Sequence, residues 1–247
     1  NSASPTALNG VIEKAHDAGI EVLAFDSIAT SPYCYKLDFN FVEQTEWGTQ
    51  WIADKIGGEG NIIVVRGVSG SVPDQQMYQG QQNVLEKYPE MEVVAEVIGE
   101  ASTTVTQQAV SNVLPSLPAV DAVVTQGGGD AWGVVQAFQA SMKEMPIIIG
   151  DNTAEFLNWW WEKYQEDGYE TVSVCSAPTI GGAALWLSLN ILEQPEGAVP
   201  EKMSLGVIPI TVDNLENYLD TKPGTLAAPT FTEDWVVENL IEKYSNN

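Results

Sequence analysis

Apolar positions along this chain switch repeatedly between continuous or alternating runs and helical spacing, and the switches predict its elements. Residues 61–65 are apolar after Asn61 and lead through Arg66-Gly67-Val68-Ser69-Gly70-Ser71 into a helix from about 73 to 88. Residues 91–98 form the next strand and 103–114 the next helix. The same rhythm recurs at 119–124, a strand of valine and alanine apart from Asp121, that breaks at Gln126-Gly127-Gly128-Gly129 before a helix. Asp130 is placed to cap that helix, and Trp132, Val135, Phe138 and Met142 give it an apolar stripe. Strand 146–149 then leads through Gly150-Asp151-Asn152 into a helix carrying Phe156, Leu157, Trp160 and Tyr164, followed by strand 171–175 and helix 180–192.

The two ends are less regular. Ser4 before Pro5 marks a helix start, with Ala7, Val11, Ile12 and Ala15 at helical spacing until Gly19. Strand 20–25 stops at Asp26-Ser27, residues 33–37 alternate as a shorter strand, and 41–56 are helical with Val42, Trp47, Trp51, Ile52 and Ile56 inward. At the far end 203–211 is strand-like, 212–219 a short helix, 221–229 a loop, and 232–244 a final amphipathic helix. Strands alternating with helices of this length mean βαβ units, so the expected class is α/β with parallel sheets covered on both faces.

Parallel strands would bring their carboxyl-end turns to one edge of a sheet, where clefts form. Those turns are Asp26-Ser27, Arg66-Gly67, Gln126-Gly127, Asp151-Asn152 and Ser176. Each residue alone is more often a turn former or helix cap than a ligand contact, but five polar corners together point to a binding cleft.

Charge narrows the partners. In 247 residues, 34 acidic side chains outnumber 10 basic ones for a net charge of −24, which disfavours nucleic acid. No apolar run approaches the roughly 18 residues of a membrane span, and the first residues lack the basic start and apolar stretch of a signal peptide. A trimmed secreted chain reads the same way, so the compartment stays open. Cys34 and Cys175 fit either one disulfide or two thiols. With one histidine, His16, there is no His-rich metal set, and neither a metal nor a cofactor is expected.

Enzyme signatures fail one by one. Gly127-x-Gly129 with Gly133, followed by Asp151, imitates a dinucleotide fingerprint but misses its spacing by one residue. Gly67-Val68-Ser69-Gly70-Ser71 lacks the lysine of a phosphate loop. His16 lies among Glu13, Lys14 and Asp17 without a nucleophile, and the pairs Glu43/Glu46 and Glu166/Asp167 read as surface charge. Trp159-Trp160-Trp161 must point three ways on a helix, toward core, interface or the C–H face of a sugar.

Several stretches, taken in order, resemble one family. NSASPTALNGVIEKAHDAGIEVLAFDS at 1–27, RGVSGSVPDQQMYQG at 66–80, QQAVSNVL at 107–114, QGGGDAWGVVQAF at 126–138 and Gly150-Asp151-Asn152 are similar to the ribose-binding-protein-like sugar-binding proteins of bacterial ABC importers, the type I periplasmic binding proteins. The likeness runs along nearly the whole chain. It implies two α/β lobes joined by three hinge crossings, a sugar or polyol held between them, and delivery to a membrane permease. The lobes would be 1–39 with 177–206 and 40–176 with 207–247. Location would be periplasmic or extracellular, including a lipoprotein on the membrane. Asn1, Asp26 and Ser27 would contribute from the first lobe, Met77, Gly127, Asp151 and Asn152 from the second, with Ser176 near a hinge. Asp26 and Asp151 would each accept two sugar hydroxyls, work suited to a carboxylate in a water-poor cleft.

Three positions depart from the pattern: Met77 replaces an arginine, Gly127 an asparagine and Ala101 a stacking aromatic, with Gln75, Gln76, Gln126 and Asn152 available to substitute. The family also has about two βα units ahead of the position of Asn1. Either the sequence is a fragment or the protein has lost part of the first lobe; with that lobe incomplete, exposed apolar surface is expected to favour self-association. The rival readings are the sensing core of a LacI-type regulator, which shares the architecture, and a nucleotide-dependent oxidoreductase, motivated by the Gly127–Gly133 loop.

Overall fold

The computed structural model describes residues 5–26, 28–174 and 178–245. In chain order the elements are α1 (Asn9–Asp17), β1 (Leu23–Asp26), β2 (Tyr35–Asp38), α2 (Phe41–Ile56), β3 (Gly60–Arg66), α3 (Val72–Leu85), β4 (Met91–Ile98), α4 (Thr103–Val113), β5 (Ala122–Val124), α5 (Asp130–Gln139), β6 (Ile147–Ile148), α6 (Ala154–Asp167), β7 (Ser173–Val174), α7 (Ile180–Glu193), β8 (Lys202–Ser204), β9 (Pro209–Ile210) and α8 (Glu233–Val236), which a π-helical stretch Val237–Glu242 continues. They divide into two compact units, one of 1–40, 177–206 and 229–247, the other of 41–176 and 207–228.

The larger unit is built on a parallel sheet in the order β4-β3-β5-β6. Its central strand shows why continuous apolar runs were needed. Ile62 and Val64 are buried with Ile52 of α2 and Val84 of α3, while their neighbours Ile63 and Val65 are buried with Val110 of α4, Phe138 of α5 and Phe156 of α6. Period-2 alternation thus feeds two cores, one on each face. The tryptophan triplet belongs largely to the second core: Trp159 and Trp160 are buried, and Trp161 packs on Tyr164.

Not every strand is parallel. β7 pairs antiparallel with β9, and a single parallel bridge from Gly150 to Ser173 joins β7 to the end of β6. The strand-like stretch 203–211 is two short strands, β8 and β9, in different sheets. β5 is shorter than 119–124 because the Asp121 carboxylate accepts the Asn61 N–H at the sheet's entrance. Met142 lies beyond the end of α5 and is fully exposed, so the predicted stripe stops at Phe138.

The smaller unit holds the parallel sheet β1-β2-β8. α1 begins at Asn9 rather than at Pro5, because the Pro5 carbonyl accepts the Thr30 N–H at 2.8 Å instead of closing a first helical turn. The tail 229–247 was expected with the second lobe but packs here: the Tyr244 hydroxyl donates to the Ser204 carbonyl, and the Trp186 indole N–H to the Phe231 carbonyl. Cys34 is a buried free thiol, whereas Cys175 lies outside the described residues. His16 is exposed and stacks on Tyr33 at 4.7 Å, the solvated-face role that its neighbours suggested.

Candidate functional site at the carboxyl edge of the larger sheet

In the larger unit the ends of β3, β5 and β6 and the starts of α3, α5 and α6 form one polar edge, and most of its side chains hold one another. Arg66, at the end of β3, places Nε and Nη2 on the two oxygens of buried Asp74 at 2.8 and 2.7 Å and lies 3.8 Å from the Tyr78 ring. Those carboxylate bonds raise the guanidinium's affinity for its proton further. Gln126 accepts the Gly67 N–H through Oε1 at 2.9 Å and donates to the Asp74 carbonyl, bracing two turns. Neither side chain is free for a ligand in this arrangement.

The glycine run has a backbone reason. Gly127, Gly128 and Gly129 have φ of 110°, 71° and 110°, values that side-chain-bearing residues rarely adopt. A β-carbon on Gly128 would come within 2.7 Å of the Ala101 methyl group, and one on Gly129 within 2.7 Å of Thr103 Oγ1. At Gly127 it would meet nothing within 4 Å. The strip is packed on one side and open at Gly127.

Gly129 occupies the N-cap position of α5 and has no side chain to offer the orphan N–H groups of the first turn. Asp151 supplies the acceptor from the end of β6: its Oδ2 accepts the Ala131 N–H at 2.9 Å, and its Oδ1 accepts the Thr153 N–H at 2.9 Å and the Thr153 hydroxyl at 2.5 Å. The side chain is fully buried. Burial pushes its carboxyl up, and bonds from Thr153, Trp132 and Ala131 pull it back.

Asp130, expected to be the cap, turns inward instead. It is fully buried, its Oδ1 accepts the Thr106 hydroxyl at 2.8 Å, and its Oδ2 has no hydrogen-bond partner among the described residues. Burial, with neighbouring Asp151 and Glu100 adding to it, pushes this carboxyl up to about 8. No single-residue pattern distinguishes this arrangement from an ordinary cap; the nearest signal was the preceding glycine, which left the capping position without an oxygen.

Around this edge lies a hollow of about 420 Å³, lined by Thr103, Gly128, Gly129, Trp132, Thr153, Glu155 and 224–226. Trp132 is half-buried, and Glu155 accepts the Gly224 N–H at 2.7 Å. The helical spacing assigns Trp132 to the core stripe, and no local pattern singles out Glu155.

Of the eight candidate residues, Gly127, Asp151 and Asn152 gather at this edge. Asn152 is buried and donates to the Ala227 carbonyl, and the Ala227 N–H returns a bond to its backbone carbonyl. Met77 is buried in α3, where its carbonyl accepts the Thr45 hydroxyl at 2.6 Å. Asp26 ends β1 in the smaller unit with φ 63°. Asn1, Ser27 and Ser176 lie outside the described residues. Among the described residues no group of His, Cys, Asp or Glu is arranged to hold a metal, and no helix is long and apolar enough to cross a membrane.

Comparison with known proteins places the chain. A model of the periplasmic binding protein domain matches residues 1–196, and the chain belongs to that family. It is similar to a solute-binding protein of an ABC transporter from Thermobispora bispora, whose crystal structure superposes with a TM-score of 0.83 at 36% identity over 100% of this chain and 74% of that one. It is 27% identical over 155 residues to a xylitol-binding protein of Mycolicibacterium smegmatis, covering 62% of this chain and 44% of that protein. It is also 23% identical over 158 residues to the ribose import binding protein of Bacillus subtilis, covering 64% and 51%. The chain thus spans about half the length of these curated relatives.

Proposed function

We infer that this protein is the capture component of a sugar ABC importer, taking up a sugar or polyol outside the cytoplasm and handing it to a membrane permease. Membership of a binding-protein family supports this reading, as do similar proteins whose names specify xylitol and ribose. The observation that carries it is the hollow lined by Gly128, Gly129, Trp132, Thr103, Thr153 and Glu155, next in the chain to Gly127 with open space at its α-carbon; an indole, hydroxyls and a carboxylate suit a neutral polyhydroxylated ligand. Gly127 lets the ligand reach the backbone, and Trp132 offers its ring. Asp151 works mainly by fixing the start of α5, since its oxygens already hold backbone groups. The same occupancy counts against a dinucleotide site, which would need Asp151 for ribose hydroxyls.

A thermal-shift panel of pentoses, pentitols, hexoses, nucleosides and NAD tests the proposal. A true ligand at a hundred times its Kd stabilises the native state by roughly 2.7 kcal/mol. A shift with a sugar or polyol is expected; a shift with NAD alone, or with none of the panel, would overturn it.

A further inference from the structure

Asp130 does not line the hollow, yet it sits behind one wall of it, where the turn from β4 to α4 meets the glycine strip. Glu100 and Ala101 in that turn both have left-handed backbone, with φ of 56° and 53°, which residues other than glycine keep only when their surroundings hold them. The turn packs on the strip through the Thr103 hydroxyl, which donates to the Gly129 carbonyl at 3.1 Å, and through the Ala101 methyl group against Gly128. At the start of the turn, Gly99 lies so close to α4 and α5 that a β-carbon there would come within 2.2 Å of Thr106 Oγ1 and 2.5 Å of Asp130 Oδ1.

The Thr106 hydroxyl has one proton and two acceptors in reach, Asp130 Oδ1 at 2.8 Å and the Gly99 carbonyl at 3.3 Å. It can donate in full to only one of them, so both bonds form at full strength only if the carboxyl brings a proton of its own. We propose that Asp130 is a positioning residue of the hollow: as the neutral acid it donates to Thr106, Thr106 donates to Gly99, and this relay holds the turn 99–103 against the glycine strip beside Trp132. The buried Oδ2 without a hydrogen-bond partner favours the neutral form, since a carboxylate would leave charge on an oxygen that no donor meets. The charged groups that face Asp130 are Glu100 from the turn and Asp151 from the end of β6; α4 carries none, and α5 none besides Asp130 itself. Burial, with those two acids adding to it, pushes the carboxyl up to about 8 against bonds from Thr106 and the Ser102 backbone, so the proton is in place at neutral pH. Its loss turns the Thr106 hydroxyl toward the carboxylate and frees Gly99.

The inference rests on the sugar reading for what the hollow holds, so its test begins without a ligand. In protein labelled with fluorotryptophan, the Trp132 resonance, assigned through Trp132→Phe, should move between about pH 6 and 9 with the same midpoint as the Asp130 carboxyl carbon. In Asp130→Asn, whose amide still donates, that movement should disappear. Thr106→Ser should keep it, and Thr106→Val, which breaks the relay, should show the high-pH signal throughout. With xylitol or ribose as titrant, Kd should rise at least tenfold over the same range in the natural chain and less than twofold in Asp130→Asn. A Trp132 signal indifferent to the Asp130 titration, or one that still titrates in Asp130→Asn, would overturn the proposal. The expected Trp132 response without binding of any sugar or polyol would support the relay and overturn the sugar reading instead.

Discussion

The carboxylate of Asp151 and the backbone N–H of Ala131, twenty positions apart, meet at 2.9 Å. That bond joins the end of β6 to the first turn of α5 and holds the glycine strip between β5 and α5. Removing three such hydrogen bonds, one of them at a helix N-terminus, should cost the ligand-free protein about 2–4 kcal/mol in Asp151→Ala, read from the urea midpoint. A carboxylate whose sole task was to meet a sugar would leave ligand-free stability nearly unchanged. The two roles therefore separate in one denaturation series.

Asp130 should make stability depend on pH. Its folded value of about 8 lies above the ordinary 3.8, so between about pH 4 and 8 the folded chain retains a proton that the unfolded chain releases. This group's contribution is fully present below pH 4 and falls away as the pH rises to about 8, by an amount on the order of a few kcal/mol. Asp130→Asn, which mimics the neutral acid, should flatten the slope over that range in denaturation curves taken across pH. An unchanged slope would show that Asp130 ionises freely in the fold.

Alanine placed along the glycine strip should report its two sides. Gly128→Ala and Gly129→Ala combine backbone strain with contacts at 2.7 Å, whereas Gly127→Ala meets open space. The first two should destabilise by about 2–3 kcal/mol and Gly127→Ala by about 1 kcal/mol, the cost of the left-handed backbone alone. On the proposed site, Gly127→Ala should nevertheless weaken sugar binding, because the added methyl group would stand in the open space proposed for the ligand. Chemical denaturation and titration of the three variants side by side check both statements.

How much was legible depended on how local the cause was. α2 and β4 occupy Phe41–Ile56 and Met91–Ile98 as their spacing predicted, since sheet faces and helix stripes impose those periods directly. The exchange of roles between Asp130 and Asp151 was not legible: a cap pattern reads neighbours along the chain, and the acceptor came from another strand. The antiparallel β7–β9 pair and the docking of 229–247 on the smaller unit were hidden for the same reason, because both are set by packing between distant segments. The turn residues Arg66 and Gln126 were rightly placed at the sheet edge, but sequence could not reveal that they hold Asp74 and Gly67.

The most direct test of the proposed sugar-binding site is an amide NMR titration of the labelled protein with pentoses, pentitols and hexoses. At least one compound should shift the Gly127–Gly129, Trp132 and Thr153 signals along a single saturable curve, with Gly127→Ala displacing that curve to higher concentration. Shifts confined to other parts of the molecule, or a spectrum indifferent to every sugar and polyol, would contradict the assignment.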